Sequence, residues 1–127
     1  MTLQLLPQAL TVCKVATPEA LAPDVPIYFA ARTEGELSLV CPTAQVPPHT
    51  LAREDGFRAL RVAGSMAFTL VGVLAGLTGA LAAAKVPVFA VSTFDTDYLL
   101  VKADRLPEAL QAFREAGYGV EEAGSRS

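Results

Sequence analysis

The stretch Val86–Val101, Val-Pro-Val-Phe-Ala-Val-Ser-Thr-Phe-Asp-Thr-Asp-Tyr-Leu-Leu-Val, decides the fold. Two β-rich apolar runs, Val86–Val91 and Tyr98–Val101, enclose a polar knot, Ser92–Asp97. The Ala- and Leu-rich run before it has helical spacing, with Leu70, Leu74, Leu77 and Leu81 on one stripe. A second helical pattern, Leu106–Ala116, follows, with Leu106, Ala109, Leu110, Phe113 and Ala116 toward the sheet. Adding Phe57–Val62 before and Tyr118–Glu122 after gives strand, helix, strand, strand, helix, strand. Crossover helices joining strands of one sheet predict an α/β chain of the ferredoxin-like βαββαβ type, an α+β sandwich.

Within that frame Val86–Val91 is apolar almost throughout and is predicted to be a central strand buried on both faces. Lys85 suits the dipole at the end of the first helix, Asp104 is placed to cap the second, and Gly117 ends it. Thr69 is a natural N-cap for the first helix. Gly72, Gly76, Gly79 and Ala83 fall on another of its faces. Each Gly costs about 1 kcal/mol of helix propensity relative to Ala, so something approaches that face closely: a neighbouring element, a second subunit or a ligand.

The first half reads differently. Leu10–Val15 alternates as a strand, and Thr17–Ala22 has the marks of one helical turn closed by Pro23. Ile27–Arg32 and Glu36–Val40 flank Thr-Glu-Gly, a hairpin with Gly35 expected at positive φ. Thr43–Asp55, with Pro47-Pro48-His49, is an irregular connection in which His49 faces solvent and has no nucleophile or carboxylate pair around it. The expected division is therefore a degenerate N-terminal unit over 1–55 (strand, short helix, hairpin) and a full C-terminal unit over 56–127. Each half has a strand, a connection and two paired strands, a pattern consistent with a tandem repeat.

Composition bounds function. The chain has 127 residues, of which 52% are hydrophobic and 18% charged, enough for a packed interior. Its net charge of -3, with Lys and Arg scattered, gives no footprint for nucleic acid. Cys13 and Cys41 suit neither a disulfide framework nor, with one His, a zinc site, and are expected to be reduced core thiols. The N-terminus Met-Thr-Leu-Gln-Leu-Leu-Pro lacks the basic and apolar regions of a signal peptide, so the cytoplasm is the expected location. No charge lies between Arg61 and Lys85, and about 20 such residues would suffice for a membrane helix. Gly64-Ser65 breaks that run, however, and its remainder is short and rich in Ala, Gly and Thr. No membrane span is expected, and a membrane-anchored protein is the less favoured alternative.

The chemistry concentrates in the knot. Asp95 and Asp97 could hold a divalent metal if other oxygens converged, could serve only the turn, or could wall a ligand site. No third carboxylate joins them in a motif, and no metal or cofactor is expected. A free amino acid has a carboxylate that suits backbone N–H groups at a helix entrance, which Gly64–Thr69 can supply, and an ammonium that suits Ser92–Asp97.

Gly72-Val-Leu-Ala, Ala84-Lys-Val-Pro-Val-Phe-Ala-Val-Ser-Thr and Asp95-Thr-Asp-Tyr-Leu-Leu-Val together resemble the ACT domain. They are most similar to its CASTOR-type subgroup, which includes arginine sensors and short bacterial proteins; the match covers at least Phe57–Glu122, and the first half looks like an N-terminal partner unit. The resemblance implies a regulatory, non-catalytic domain that binds an amino acid at an interface between ACT units, usually in a homodimer or paired tandem, and acts on a protein partner. By motif it assigns the helix-entrance loop to Gly64, Ser65, Thr69, Leu70, Val71 and Gly72, and the strand-end wall to Val91, Ser92, Thr93 and Asp97. Phe68-Thr-Leu-Val-Gly replaces the Asp and the Pro-Gly pair of the wider ACT pattern at the helix entrance. The alternative function is a ligand-free oligomerisation module built on the Gly face and an exposed sheet edge.

Overall fold

Period-two alternation accounts for most of the strands, and the longest of them, β5 (Ala52–Val62), serves two units. The computed structural model describes residues 1–18, 24–63 and 72–122. The chain divides by contact into Met1–Pro7 with Arg58–Ser127, and Gln8–Phe57. Among the described residues there are eight strands and two α-helices, a mixed α/β fold of the ferredoxin-like kind.

The larger unit contains the end of β5, β1 (Thr2–Leu5), β6 (Phe89–Ser92), β7 (Asp97–Lys102) and β8 (Gly119–Glu122), in the order β6-β7-β5-β1-β8. Helices α1 (Val73–Ala83) and α2 (Leu106–Glu115) supply the crossovers. One face of the sheet gives Leu3, Leu5, Leu60, Val62, Leu99 and Val101 to a core completed by Leu77 and Leu81 of α1 and Ala109 and Phe113 of α2.

Strand β1 is an addition to the expected set. Thr2-Leu3-Gln4-Leu5 alternates, and Leu3 and Leu5 are buried where β1 runs antiparallel to β5 and parallel to β8. The expected division at residue 55 put this strand with the first half; its pairing places it with residues 58–127.

The central strand is also different from expectation. Leu99, Leu100 and Val101 of β7 are all fully buried, the signature of a strand covered on both faces. Val86–Val91 does not fill that role: Pro87 has no N–H to give, Val86 closes the helix through its N–H to Leu81 O at 2.9 Å, and β6 starts only at Phe89 as an edge strand. Val88 and Phe89 are each 37% exposed there.

Helix ends follow local chemistry. Helix α1 has Gly72 as its N-cap at φ 81, so Thr69, which lies outside the described residues, does not hold that position. Its C-terminal turn passes through Lys85 at φ 61, the left-handed position that usually takes Gly. Arg105, not Asp104, is the N-cap of α2, with no side-chain cap; Asp104 lies in the preceding 3₁₀ turn. Gly117 ends α2 at φ 97, as expected. Of the glycine face, Gly76 alone is closely approached: a Cβ there would lie 2.8 Å from the Tyr118 hydroxyl.

The smaller unit orders β3 (Phe29–Arg32), β4 (Leu37–Pro42), β2 (Leu10–Val15) and the start of β5, all antiparallel. Cys13, Val15 and Leu39 form its small core with Leu37 and Val46. Fully buried Thr11 donates to Asp55 Oδ1 at 2.6 Å. Its single proton being spent there, the Thr43 hydroxyl donates to Thr11 Oγ1 across 3.0 Å. Arg53 completes the network through two bonds to the same Asp55 oxygen. Gly35 is not at positive φ; its N–H is 3.3 Å from Thr33 Oγ1, and that hydroxyl shapes the turn instead. The helical turn expected over Thr17–Ala22 falls mostly outside the described residues.

Candidate functional site

Strands β6 and β7 form a hairpin closed by the facing pair Ser92 and Asp97. The four residues between them are locked from within. Thr93 N–H donates to Thr96 O at 2.8 Å, the Thr93 hydroxyl donates to the same oxygen at 3.0 Å, and Thr96 N–H lies 3.3 Å from Thr93 Oγ1. Thr96, buried at 6% exposure, anchors the turn to β5 by donating its hydroxyl to Val62 O at 2.9 Å. Sequence reasoning overlooked Thr96 as an anchor; its signal was a β-branched hydroxyl residue between two aspartates.

The turn therefore holds Ser92 and Asp97 in fixed opposition. Ser92 Oγ donates to Asp97 Oδ1 at 2.6 Å, a short bond of the charge-assisted kind. Strand alternation puts Asp97 on the same face as Leu99 and Val101, the face that carries the helices. Asp97 is only 8% exposed, and among the described residues Ser92 is its one hydrogen-bonding partner and no basic side chain forms an ion pair with it. A carboxylate so enclosed, with one donor, gains strongly from a cationic partner.

The other predicted site residues divide into three groups. Thr93 lies in the turn and is engaged in shaping it. Val91 pairs with Tyr98 and alternates to the sheet face opposite Ser92 and Asp97, so its side chain does not share their surroundings. Gly72 stands at the start of α1 in the left-handed conformation. Gly64, Ser65, Thr69, Leu70 and Val71 lie outside the described residues.

Asp95 does not join Asp97. It is exposed in the turn whereas Asp97 is buried in the strand, and among the described residues no three His, Cys, Asp or Glu side chains gather as metal ligands. His49 is exposed, as expected. Cys13 and Cys41 are free and buried; burial pushes the Cys41 thiol up to about 11 and raises that of Cys13. Such thiols are poor nucleophiles. No described helix is long and apolar enough to cross a membrane.

The geometry has counterparts in known proteins. A crystal structure of an Agobacterium tumefaciens protein matches with a TM-score of 0.86 at 24% identity, over 99% of this chain and 96% of that one. A Vibrio cholerae protein of unknown function, described as a possible transport protein, matches at 0.67 and 18% identity over 87% of this chain and 85% of that one. The ligand-free regulatory subunit of aspartate kinase from Thermus thermophilus matches at 0.60 and 10% identity, over 87% of this chain and 93% of that one. At these identities the likeness is one of fold. Comparison with curated protein sequences gives no match. The sequence profile described as ACT domain matches residues 52–115, just over half of the chain, and takes in β5, both helices and the Ser92–Asp97 hairpin. The chain belongs to the ACT domain family.

Proposed function

We propose that this chain is a non-catalytic regulatory protein that binds a free amino acid in its larger unit. The ligand's ammonium meets Asp97 and Ser92, and its carboxylate meets backbone N–H groups of the segment that leads into α1, from Gly64 and Ser65 through Thr69 to Gly72. The observation that carries this reading is Asp97, a carboxylate at 8% exposure with Ser92 as its one hydrogen-bonding partner among the described residues. The finer assignment, to the CASTOR-type subgroup with a tandem of ACT units, a homodimer, a cytoplasmic location and a regulated protein partner, is part of the same proposal. It draws on the Ser-Thr-x-x-Thr-Asp motif at 92–97 and on the resemblance described from it.

A second reading has its own observation. Among the described residues strand β6 is an edge; Phe89 in it and Val88 just before it are each 37% exposed, and Phe94 at the turn is 80% exposed. An apolar edge of this kind suits pairing with another chain, and a ligand-free assembly module would need nothing more.

A thermal-melt screen of the purified protein against the twenty amino acids, with the mass in solution recorded beside it, separates the two. An amino acid at 100 times its dissociation constant adds about 2.7 kcal/mol, a shift of several degrees. A selective shift is the expected result. A stable oligomer that no amino acid shifts would replace the sensor by the assembly module.

A further inference from the structure

We infer that each chain carries one ammonium-binding turn and that its counterpart in the smaller unit is unable to bind; this rests on the amino-acid reading above. The hairpins β3–β4 and β6–β7 share a register. Phe29 faces Val40, Ala30 faces Leu39, Ala31 faces Ser38 and Arg32 faces Leu37; Phe89 faces Leu100, Ala90 faces Leu99, Val91 faces Tyr98 and Ser92 faces Asp97, every number 60 higher. The turns match as well. Thr33 N–H donates to Glu36 O at 2.9 Å where Thr93 N–H donates to Thr96 O at 2.8 Å; the two threonine hydroxyls differ in their donor, Thr33 Oγ1 taking Gly35 N–H and Thr93 Oγ1 taking Thr96 N–H, each at 3.3 Å. A 3₁₀ turn follows each hairpin, Thr43–Gln45 after one and Ala103–Arg105 after the other.

The backbone of the hairpin is thus present twice, and its polar chemistry once. Leu37 stands in the place of Asp97, packed against the apolar cluster of Cys13, Val15 and Leu39. Arg32 stands in the register place of Ser92 and brings a guanidinium, which repels an ammonium, instead of a hydroxyl. Glu36, the carboxylate next to this pair, is exposed and accepts the Ser38 hydroxyl at 2.9 Å. A turn with an apolar residue and a guanidinium at its two key positions repels the group that its counterpart holds.

Equilibrium dialysis of the full chain against each of the twenty amino acids, radiolabelled, tests this. The expected stoichiometry is one per chain. Asp97→Asn and, independently, Ser92→Ala at an exposed position are expected to weaken binding at least about tenfold. Arg32→Ala is expected to leave both affinity and stoichiometry unchanged. Two molecules per chain, or a saturable site that survives in Asp97→Asn and is lost in Arg32→Ala, would overturn the one-site inference while leaving the amino-acid reading in place. No binding of any amino acid would overturn both.

Discussion

Replacing Asp97 by Asn separates a carboxylate kept for a ligand from one kept for the fold. Asn retains an oxygen for the Ser92 hydroxyl, which now sits 2.6 Å from Oδ1. The bond changes from one to a charged acceptor, worth about 1.5–3 kcal/mol, to a neutral one of about 0.5–1.5 kcal/mol, so about 1 kcal/mol is lost. Against this, an enclosed charge with one donor is removed, which offsets that loss. The two changes offset to within about 1 kcal/mol, so the ligand-free variant keeps its melting temperature to within about 4 °C in a chain of this length. Differential scanning calorimetry without ligand reads it directly. The same variant should lose the stabilisation that an amino acid gives the natural chain. A fall of about 8 °C or more without ligand would mean that the carboxylate holds the hairpin together, and the functional argument from Asp97 would fail.

Lys85→Gly is expected to raise stability by about 0.5 kcal/mol, because release of the φ 61 strain, about 1 kcal/mol, outweighs the lost helix-end charge; an unchanged or lower denaturant midpoint would contradict this. Gly76→Val should lower the melting temperature by several degrees, since its side chain displaces Tyr118 from its edge-on contact with Phe113 at 6.0 Å and adds a β-branched residue mid-helix. If it instead dissociated an oligomer at unchanged stability, the glycine face would belong to a second copy. Cys13 and Cys41 should react with a thiol reagent at pH 8 only on unfolding, and rapid labelling of the native chain would be inconsistent with their burial. Because the folded thiols hold their protons above the ordinary 9.0, stability should be full below that pH and decline as it rises toward about 11, measured by denaturation at each pH.

The sequence disclosed its fold through long, strongly periodic segments. Leu10–Val15, the stripe of Leu74, Leu77 and Leu81, and Leu106, Ala109, Leu110 and Phe113 of α2 occur as expected, whereas Ala116, expected toward the sheet, is the exposed C-cap of α2. Short segments were ambiguous, and tertiary partners decided them. Four alternating residues before Pro7 become β1 because β5 and β8 flank them, a fact held in residues more than fifty positions away. Val86–Val91 and Leu99–Val101 are equally apolar, yet Pro87 and the closing bond of α1 leave only the second to occupy the middle of the sheet. At the site, composition and spacing marked 92–97 as a polar knot between two strands, but not that Ser92 faces Asp97 across the hairpin. The opposite facing of Val91 and the anchoring of Thr96 on Val62 depend on register, which composition does not encode.

The position of β1 has a consequence for synthesis. Leu3 and Leu5 pair on one side with Val62 and Leu60 and on the other with Val120 and Glu122, so Thr2–Leu5, made before both partners, find their last neighbours only once residues 119–122 have been made. Nascent Thr2–Leu5 must wait with an unpaired edge until β8 is made. For the same reason a gene fragment beginning at residue 56 would encode a sheet with a missing plank between β5 and β8, and the two halves of this small protein are not exchangeable parts.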